Sequence, residues 1–237
     1  MSLTQIKTSG VAADAVTAAK LASNAVVTAS IVDDAVTADK LASNAVVTAS
    51  IVDDAVTSDK VSSDIKVAGL ETIYVPAAAM YPNSTAGCAD LEQVELSNGP
   101  ELKCLDFDAS SDENAQFTVA FPKSWNEGTV TFQAFFTVTG TNTGTVAWGL
   151  SGVSFADNAD INTAFGTNVV ATAKAHSGTS NDMNVTAVSG AVTITGAAVD
   201  TQTYFQVMRD VSADDQTGDA RLLGIKLFFT TNASNDA

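Results

Sequence analysis

The residues able to do chemistry are few, and their spacing decides how each is read. His176 is the only histidine among 237 residues. It lies in AKAHSGTS with no serine, cysteine or paired acid at motif spacing, so it reads as a solvated loop residue. Asp106 and Asp108 make a carboxylate pair of the kind that hydrolyses glycosides. They alternate with Leu105 and Phe107, which places them on the polar, solvent-facing side of a strand. Asp210, Asp214, Asp215 and Asp219 crowd the stretch RDVSADDQTGDAR. Their carboxylates are hard oxygen donors suited to calcium, but the spacing fits no defined loop, and an acidic hairpin turn is the simpler reading. Cys88 and Cys104 flank a hairpin-like segment at Asn98-Gly99. With no second pair and no nearby histidine they make no zinc site; a single disulfide and two free thiols both stay open. Trp125 and Trp148 have the flat faces that stack on sugar rings. A domain with only two tryptophans is expected to use both in core or inter-chain packing. The sequons at Asn83, Asn184 and Asn232 carry weight only in a secreted protein. No catalytic residue, cofactor or metal is expected.

The elements that must position these residues alternate with period two. Val130, Phe132, Ala134, Phe136 and Val138 share one face of EGTVTFQAFFTVTG, and Phe117, Val119 and Phe121 do so in AQFTVAFP. Leu105 with Phe107, the runs AVTITG and TYFQVMRDV, and Leu223, Ile225, Leu227 and Phe229 extend the pattern. Turn residues separate these runs at Ser97-Asn98-Gly99-Pro100, Asn126-Glu127-Gly128, 140–144, 177–181 and Ser189-Gly190. The expectation is eight to ten strands in an antiparallel β-sandwich of the jelly-roll kind, with at most a helical turn or two at 157–165.

Before Gly69 the chain is a different object. Residues 1–68 contain no aromatic, proline or cysteine and only Gly10 among glycines, whereas all 16 aromatics, both cysteines and all four prolines come later. AVTAAKLASNAVVTASIVDD (15–34) returns as AVTADKLASNAVVTASIVDD (35–54), differing only at Ala19 against Asp39, and AVTSDKVSSD starts a third copy. Inside it every fifth residue is aliphatic: Ile6, Val11, Val16, Leu21, Val26, Ile31, Val36, Leu41, Val46, Ile51, Val56 and Val61. Five residues advance an α-helix by about 140° net, so no stripe forms. In a continuous strand the same step alternates faces. The unit is therefore about ten residues, an extended piece or a helical turn followed by a bend. One aliphatic per five residues falls short of the roughly 1–2 kcal/mol of backbone entropy lost per ordered residue. Several parallel copies in register would supply the missing surface, and three is the expectation, with Val16 to Val61 on the common axis. A disordered linker is the plain alternative, but a linker has no reason to keep an aliphatic period over twelve pentads. Asp33-Asp34 and Asp53-Asp54 recur with the repeat and are expected to face outward, where like charges across copies do not crowd.

Net charge is −16, divided as −3 for residues 1–68 (five Lys, eight Asp) and −13 for the remainder. A surface this acidic repels nucleic acid and anionic lipid. MSLTQIKTSG has no hydrophobic core of a secretory signal, and no apolar run approaches the roughly 20 residues of a membrane helix. Neither nucleic-acid binding nor membrane insertion is expected.

The opening TQIKTSGVA and the AVTADKLA-type decads resemble the repetitive stalks of bacteriophage fibre proteins. The remainder is similar to a β-sandwich of phage virion proteins through GCADLEQVEL (87–96), LDFDASSDENAQF (105–117), PKSWNEGTVTFQAFFT (122–137), WGL (148–150) and RDVSADDQTGDARLLGIKLFFTT (209–231). The resemblance implies a homotrimeric virion appendage assembled in the host cytoplasm, where thiols stay reduced. Residues 1–10 would form an attachment tip, 11–68 a shaft and 69–237 a head. Ile6 and Val11 would plug into capsid or tail proteins, and the head would adhere to a host-surface glycan or protein. A capsid-attached head fibre or decoration protein is the alternative role. A polysaccharide-degrading spike is disfavoured, since short alternating strands do not build a large groove-bearing β-helix.

Placing Asp at Leu41 and Ile51 together should bury like charges on the proposed axis, several kcal/mol unfavourable per site. Thermal unfolding followed by circular dichroism should show the repetitive segment melting while the sandwich persists; unchanged melting of both would refute the axial assignment.

Overall fold

The structure, a computed structural model, describes residues 15–33, 35–43, 45–47, 51–52, 55–56 and 69–232, together with Ala12 and Ala49. The chain divides into two compact units, residues 1–62 and 63–237. Ile6, Val11 and Val61, together with Asp34, Asp53 and Asp54, lie outside the described residues.

In the repetitive unit the five-residue beat belongs to the backbone. The N–H groups of Ala15, Lys20, Ala25, Ser30, Ala35, Lys40, Ala45 and Ala55 each donate to the carbonyl three residues earlier, at 2.7–3.1 Å. Each such bond closes a turn directly before a pentad aliphatic. Alternate turns are short 3₁₀ pieces, Ala18–Lys20, Thr28–Ser30 and Ala38–Lys40, ten residues apart. The turn between the first two contains Asn24 at φ 64°, a left-handed conformation that asparagine tolerates better than most residues. Lys20 Nζ donates to Ala15 O at 2.9 Å and Lys40 Nζ to Ala35 O at 2.6 Å, so the lysine of each copy ties down the same turn. The alternative between extended pieces and helical turns thus resolves in favour of turns, two per decad. Asp33 is exposed.

The second unit is a mainly β, jelly-roll-like antiparallel sandwich. Its long strands are β1 (Leu70–Pro76), β4 (Leu102–Phe107), β5 (Glu113–Val119), β6 (Thr131–Val138), β8 (Trp148–Phe155), β13 (Gln202–Arg209) and β14 (Ala220–Thr230). Shorter strands are β2 (Tyr81–Pro82), β3 (Glu92–Val94), β9 (Val169–Val170), β11 (Asn184–Val185) and β12 (Ile194–Thr195), with β7 (Thr145–Val146) and β10 (Lys174–Ala175) pairing as a separate two-stranded sheet. One six-stranded sheet runs β11-β6-β14-β4-β3, with β1 also on β14; the other runs β12-β8-β13-β5-β2, with β9 also on β8. All of these pairings are antiparallel except β12 on β8.

The core lies between the two sheets, where the period-two faces meet. Phe107, Phe132, Phe136, Leu222, Ile225 and Leu227 come from the first sheet and Phe117, Trp148, Leu150, Phe205 and Val207 from the second, all fully buried. Rings interlock across the gap: Phe107 meets Trp148 edge-on at 4.9 Å, and Phe121 meets Phe229 at 5.3 Å. The free edge of β6 is closed by hydroxyls, since Phe132 N donates to Ser189 Oγ and Ala134 N to Thr186 Oγ1.

One expectation is corrected. The inward face of β14 carries Leu222, not Leu223, because a bulge between Leu222 and Gly224 shifts the register by one residue. At 157–165, where the sequence allows a turn or two, a single turn closes from Ala159 N to Ala156 O.

The last inward position of β13 holds a guanidinium instead of a hydrocarbon. Arg209 is fully buried. Its Nε donates to Asp214 Oδ2 at 2.8 Å, Nη1 to Phe107 O at 3.0 Å and Gly218 O at 2.9 Å, and Nη2 to Gln216 O at 2.8 Å and Asp214 Oδ1 at 3.3 Å. All five N–H groups are matched, as burial of this charge requires. One side chain thereby ties β13 to the end of β4 and gathers the 210–219 loop. Arg209→Met should destabilise the sandwich by about 3–5 kcal/mol, because Asp214 is left as an uncompensated buried charge. Adding Asp214→Ala should recover much of that loss; denaturant unfolding of both variants measures it, and an equal loss in single and double variants would contradict the account.

Candidate functional site

The residues singled out for chemistry are mostly structural. His176 is buried, contrary to the expected solvated loop position. Its Nδ1 lies 2.8 Å from Asn142 O and its Nε2 2.9 Å from Thr179 O. A neutral ring can donate to only one of these carbonyls and an imidazolium to both. The ring pins the 140–144 loop to residues 176–179, a packing role with no signal in the sequence around it.

Asp106 lies on the outward face of β4, opposite Arg221 on β14. The two form a bidentate pair, Nε to Oδ1 at 2.9 Å and Nη2 to Oδ2 at 2.8 Å, which raises the Arg221 pKa. Asp108 is exposed, and hydrogen bonds from Ser110 lower its carboxyl pKa. The two carboxylates therefore serve different partners. The acidic stretch is a hydrogen-bonded turn: Asp214 answers Arg209, Asp210 Oδ1 accepts from Ser212 N and Oγ, and Asp215 Oδ1 accepts from Thr145 N and Oγ1. The same bonds from Thr145 lower the Asp215 pKa. Among the described residues no three His, Cys, Asp or Glu gather to hold a metal ion.

Trp125 and Trp148 are both core residues, 1% and 0% exposed. Trp125 stacks on Phe121 at 4.2 Å. Neither presents a face to a ligand. Cys88 and Cys104 are free and buried. Burial, then the charge of Glu113, pushes Cys88 up to about 12; burial, then Asp106, pushes Cys104 up to about 11. Asn184 is buried and Asn232 exposed.

A different constellation lies on the outer face of the second sheet. Strand pairing sets Tyr81 of β2 opposite Gln116 of β5, Gln116 opposite Gln206 of β13, and Gln206 opposite Ser151 of β8. One lateral row thus crosses four strands, about 14 Å at the usual strand spacing. In the next row toward the other end, Tyr204 sits between Thr118 and Val153 and meets Phe155 edge-on at 5.9 Å. The alternation that sends Phe117, Phe205 and Val207 inward sends these residues outward.

The row is knitted by carboxamides. Gln206 Oε1 accepts from Asn83 Nδ2 at 2.9 Å and from Gln116 Nε2 at 3.5 Å, and the Tyr81 hydroxyl reaches Gln116 Oε1 at 3.5 Å. The NH₂ of Gln206 makes no hydrogen bond among the described residues, and the buried oxygens Asn83 Oδ1 and Asn114 Oδ1 meet no donor. Tyr81 is 47% exposed; its pKa is raised by burial of its inner side and then by Tyr204. A depression of about 350 Å³ opens here, lined by Tyr81, Pro82, Asn83, Ser84, Thr85 and Gln116. None of the lining residues is ionised at neutral pH. The site offers neutral donors and acceptors beside an aromatic ring, with no Asp, Glu, His, Cys, Lys or Arg among its lining residues. It leaves no mark in any one stretch of sequence, because its members come from positions 81–85, 116 and 204–206, and only strand register brings them together.

No family model matches the chain, and no curated protein matches it. Solved structures with a similar course of chain include the CBM36-1 domain of a multidomain xylanase from the hindgut metagenome of Trinervitermes trinervoides, at 13% identity over 66% of this chain and 96% of that one, TM-score 0.35. The family 11 carbohydrate-binding module from Clostridium thermocellum, in complex with a β-1,3-1,4-mixed-linked tetrasaccharide, gives 8% over 71% and 99%, TM-score 0.38. Caldicellulosiruptor saccharolyticus CBM27-1, in complex with mannohexaose, gives 10% over 70% and 99%, TM-score 0.36. These likenesses are too distant to transfer a ligand or a site; the sandwich stands on its own strand register.

The thiols supply a direct test of the core. A folded-state thiol pKa above the ordinary 9.0 favours folding below that value, and this contribution is lost as pH rises toward about 12. Native protein should resist iodoacetamide at mildly alkaline pH and take up two labels per chain once unfolded, as read by mass spectrometry. Rapid labelling of the native protein would contradict the burial.

Proposed function

We propose that the chain is the subunit of a trimeric bacteriophage fibre, with a repetitive stalk and a β-sandwich head that adheres to a host-surface glycan. The observation that carries this reading is the state of the pentad aliphatics in the single chain. Val16, Leu21, Val26, Ile31, Val36, Leu41, Val46, Ile51 and Val56 stay between 42% and 60% exposed. Their backbone is nonetheless regular, turn after turn. A run of evenly spaced, half-covered aliphatics is an interface lacking its partner, and the partner with the same period is another copy of the same sequence. Closed threefold symmetry gives every copy an identical environment. The neutral amide and tyrosine face of the sandwich supports adhesion over catalysis, since it has ligand-holding groups without a reacting one. Among the described residues no helix is long and apolar enough to cross a membrane. Ile6 and Val11 are assigned to attachment through other virion proteins.

Multi-angle light scattering on the full chain should give about 73 kDa, three times 24.2 kDa. A mass near that of one chain would overturn the fibre reading.

A further inference from the structure

We infer that the outer face of the second sheet, along the row Tyr81, Gln116, Gln206 with Asn83 and Tyr204, is a binding site for a neutral oligosaccharide. The assignment rests on the adhesive reading of the head and gives it a place and a ligand class. A sugar hydroxyl both donates and accepts, so it is matched best by groups that do the same. Carboxamides do this in a planar, uncharged form. Three of them, Asn83, Gln116 and Gln206, share a single acceptor, Gln206 Oε1, which leaves an NH₂ donor on Gln206 without a partner among the described residues. Two of the three contacts that join the row are as long as 3.5 Å, loose enough for a ligand hydroxyl to replace them at small loss.

The phenols supply the second half of sugar recognition. Tyr81, which lines the depression and is half exposed, offers ring surface to the apolar C–H face of a pyranose, with Tyr204 in the next row of the sheet. The depression of about 350 Å³ lies at the small end of ligand sites, the size of one sugar unit. The row itself, about 14 Å long, allows neighbouring units to continue across β13 toward Ser151. Charge selects the class. With no lysine or arginine among the lining residues and a net charge of −16 on the chain, the face has nothing to hold a phosphate, a sulfate or an acidic sugar.

Saturation-transfer difference NMR on the full chain tests the site, with the methyl pyranosides of glucose, galactose, mannose and N-acetylglucosamine as probes. Each is used at about 10 mM, to detect the millimolar affinity of single-unit contacts. At least one probe should give saturation at its ring C–H protons. That signal should fall to baseline in Tyr81→Ala and in Gln206→Ala, and should persist in Lys226→Ala, which alters the outer face of the other sheet. Unchanged melting of Tyr81→Ala, an exposed position, confirms that folding is intact. No saturation from any of the four probes, or equal signal in Tyr81→Ala, overturns the assignment. A silent face in a protein of three-chain mass removes this site alone, whereas a single-chain mass removes the fibre reading alone.

Discussion

The register of β13 is the constraint on which the sandwich and its candidate site both depend. One face of this central strand holds Thr203, Phe205, Val207 and Arg209, all buried; the other holds Tyr204, Gln206 and Met208. A slip of one residue would exchange the faces, sending amides into the core and aromatic carbon into water. Phe205 against Phe117 at 5.3 Å and the five hydrogen bonds of Arg209 lock the strand from inside. The outward row is therefore held in place by packing it does not touch. Such a site is rigid because its support is the core.

Arg209 also sets the course of the acidic stretch after β13. The buried guanidinium requires a counter-charge, and Asp214 supplies it; the turn carbonyls of Gln216 and Gly218 complete the set. Asp210 and Asp215 are each bound to hydroxyls and N–H groups nearby. Each of these three carboxylates is thereby held by groups of the chain itself.

The two units solve opposite problems. The sandwich encloses its aromatics between two sheets within one chain, while the repetitive unit has too little apolar area per residue to do so and leaves its aliphatics half covered. In the fibre reading, association supplies what sequence density lacks. Association would also suit a shallow, uncharged site of small volume. Three weak contacts carried on one body raise the effective affinity without any change in the individual site.

Period-two alternation makes the core legible from the order of residues alone: Val130 through Val138, Phe117, Leu105 and Phe107 all turn inward as their spacing requires. The exchange of composition near Gly69 likewise marks two different objects, and the pentad sets the beat of the first. Other features escape the sequence because they are set by neighbours distant along the chain. A bulge in β14 takes Leu223 off the face that alternation assigns to it. Strand β8 gives no period-two signal, since WGLSGVSF is buried on both faces. His176 takes its burial from two carbonyls on separate loops. The amide row has no signal in any linear stretch, because Tyr81, Gln116 and Gln206 are ordinary polar strand residues until hydrogen-bonded pairing sets them abreast. Local spacing decides which side of a strand a residue takes; only the pairing of strands decides who stands beside it.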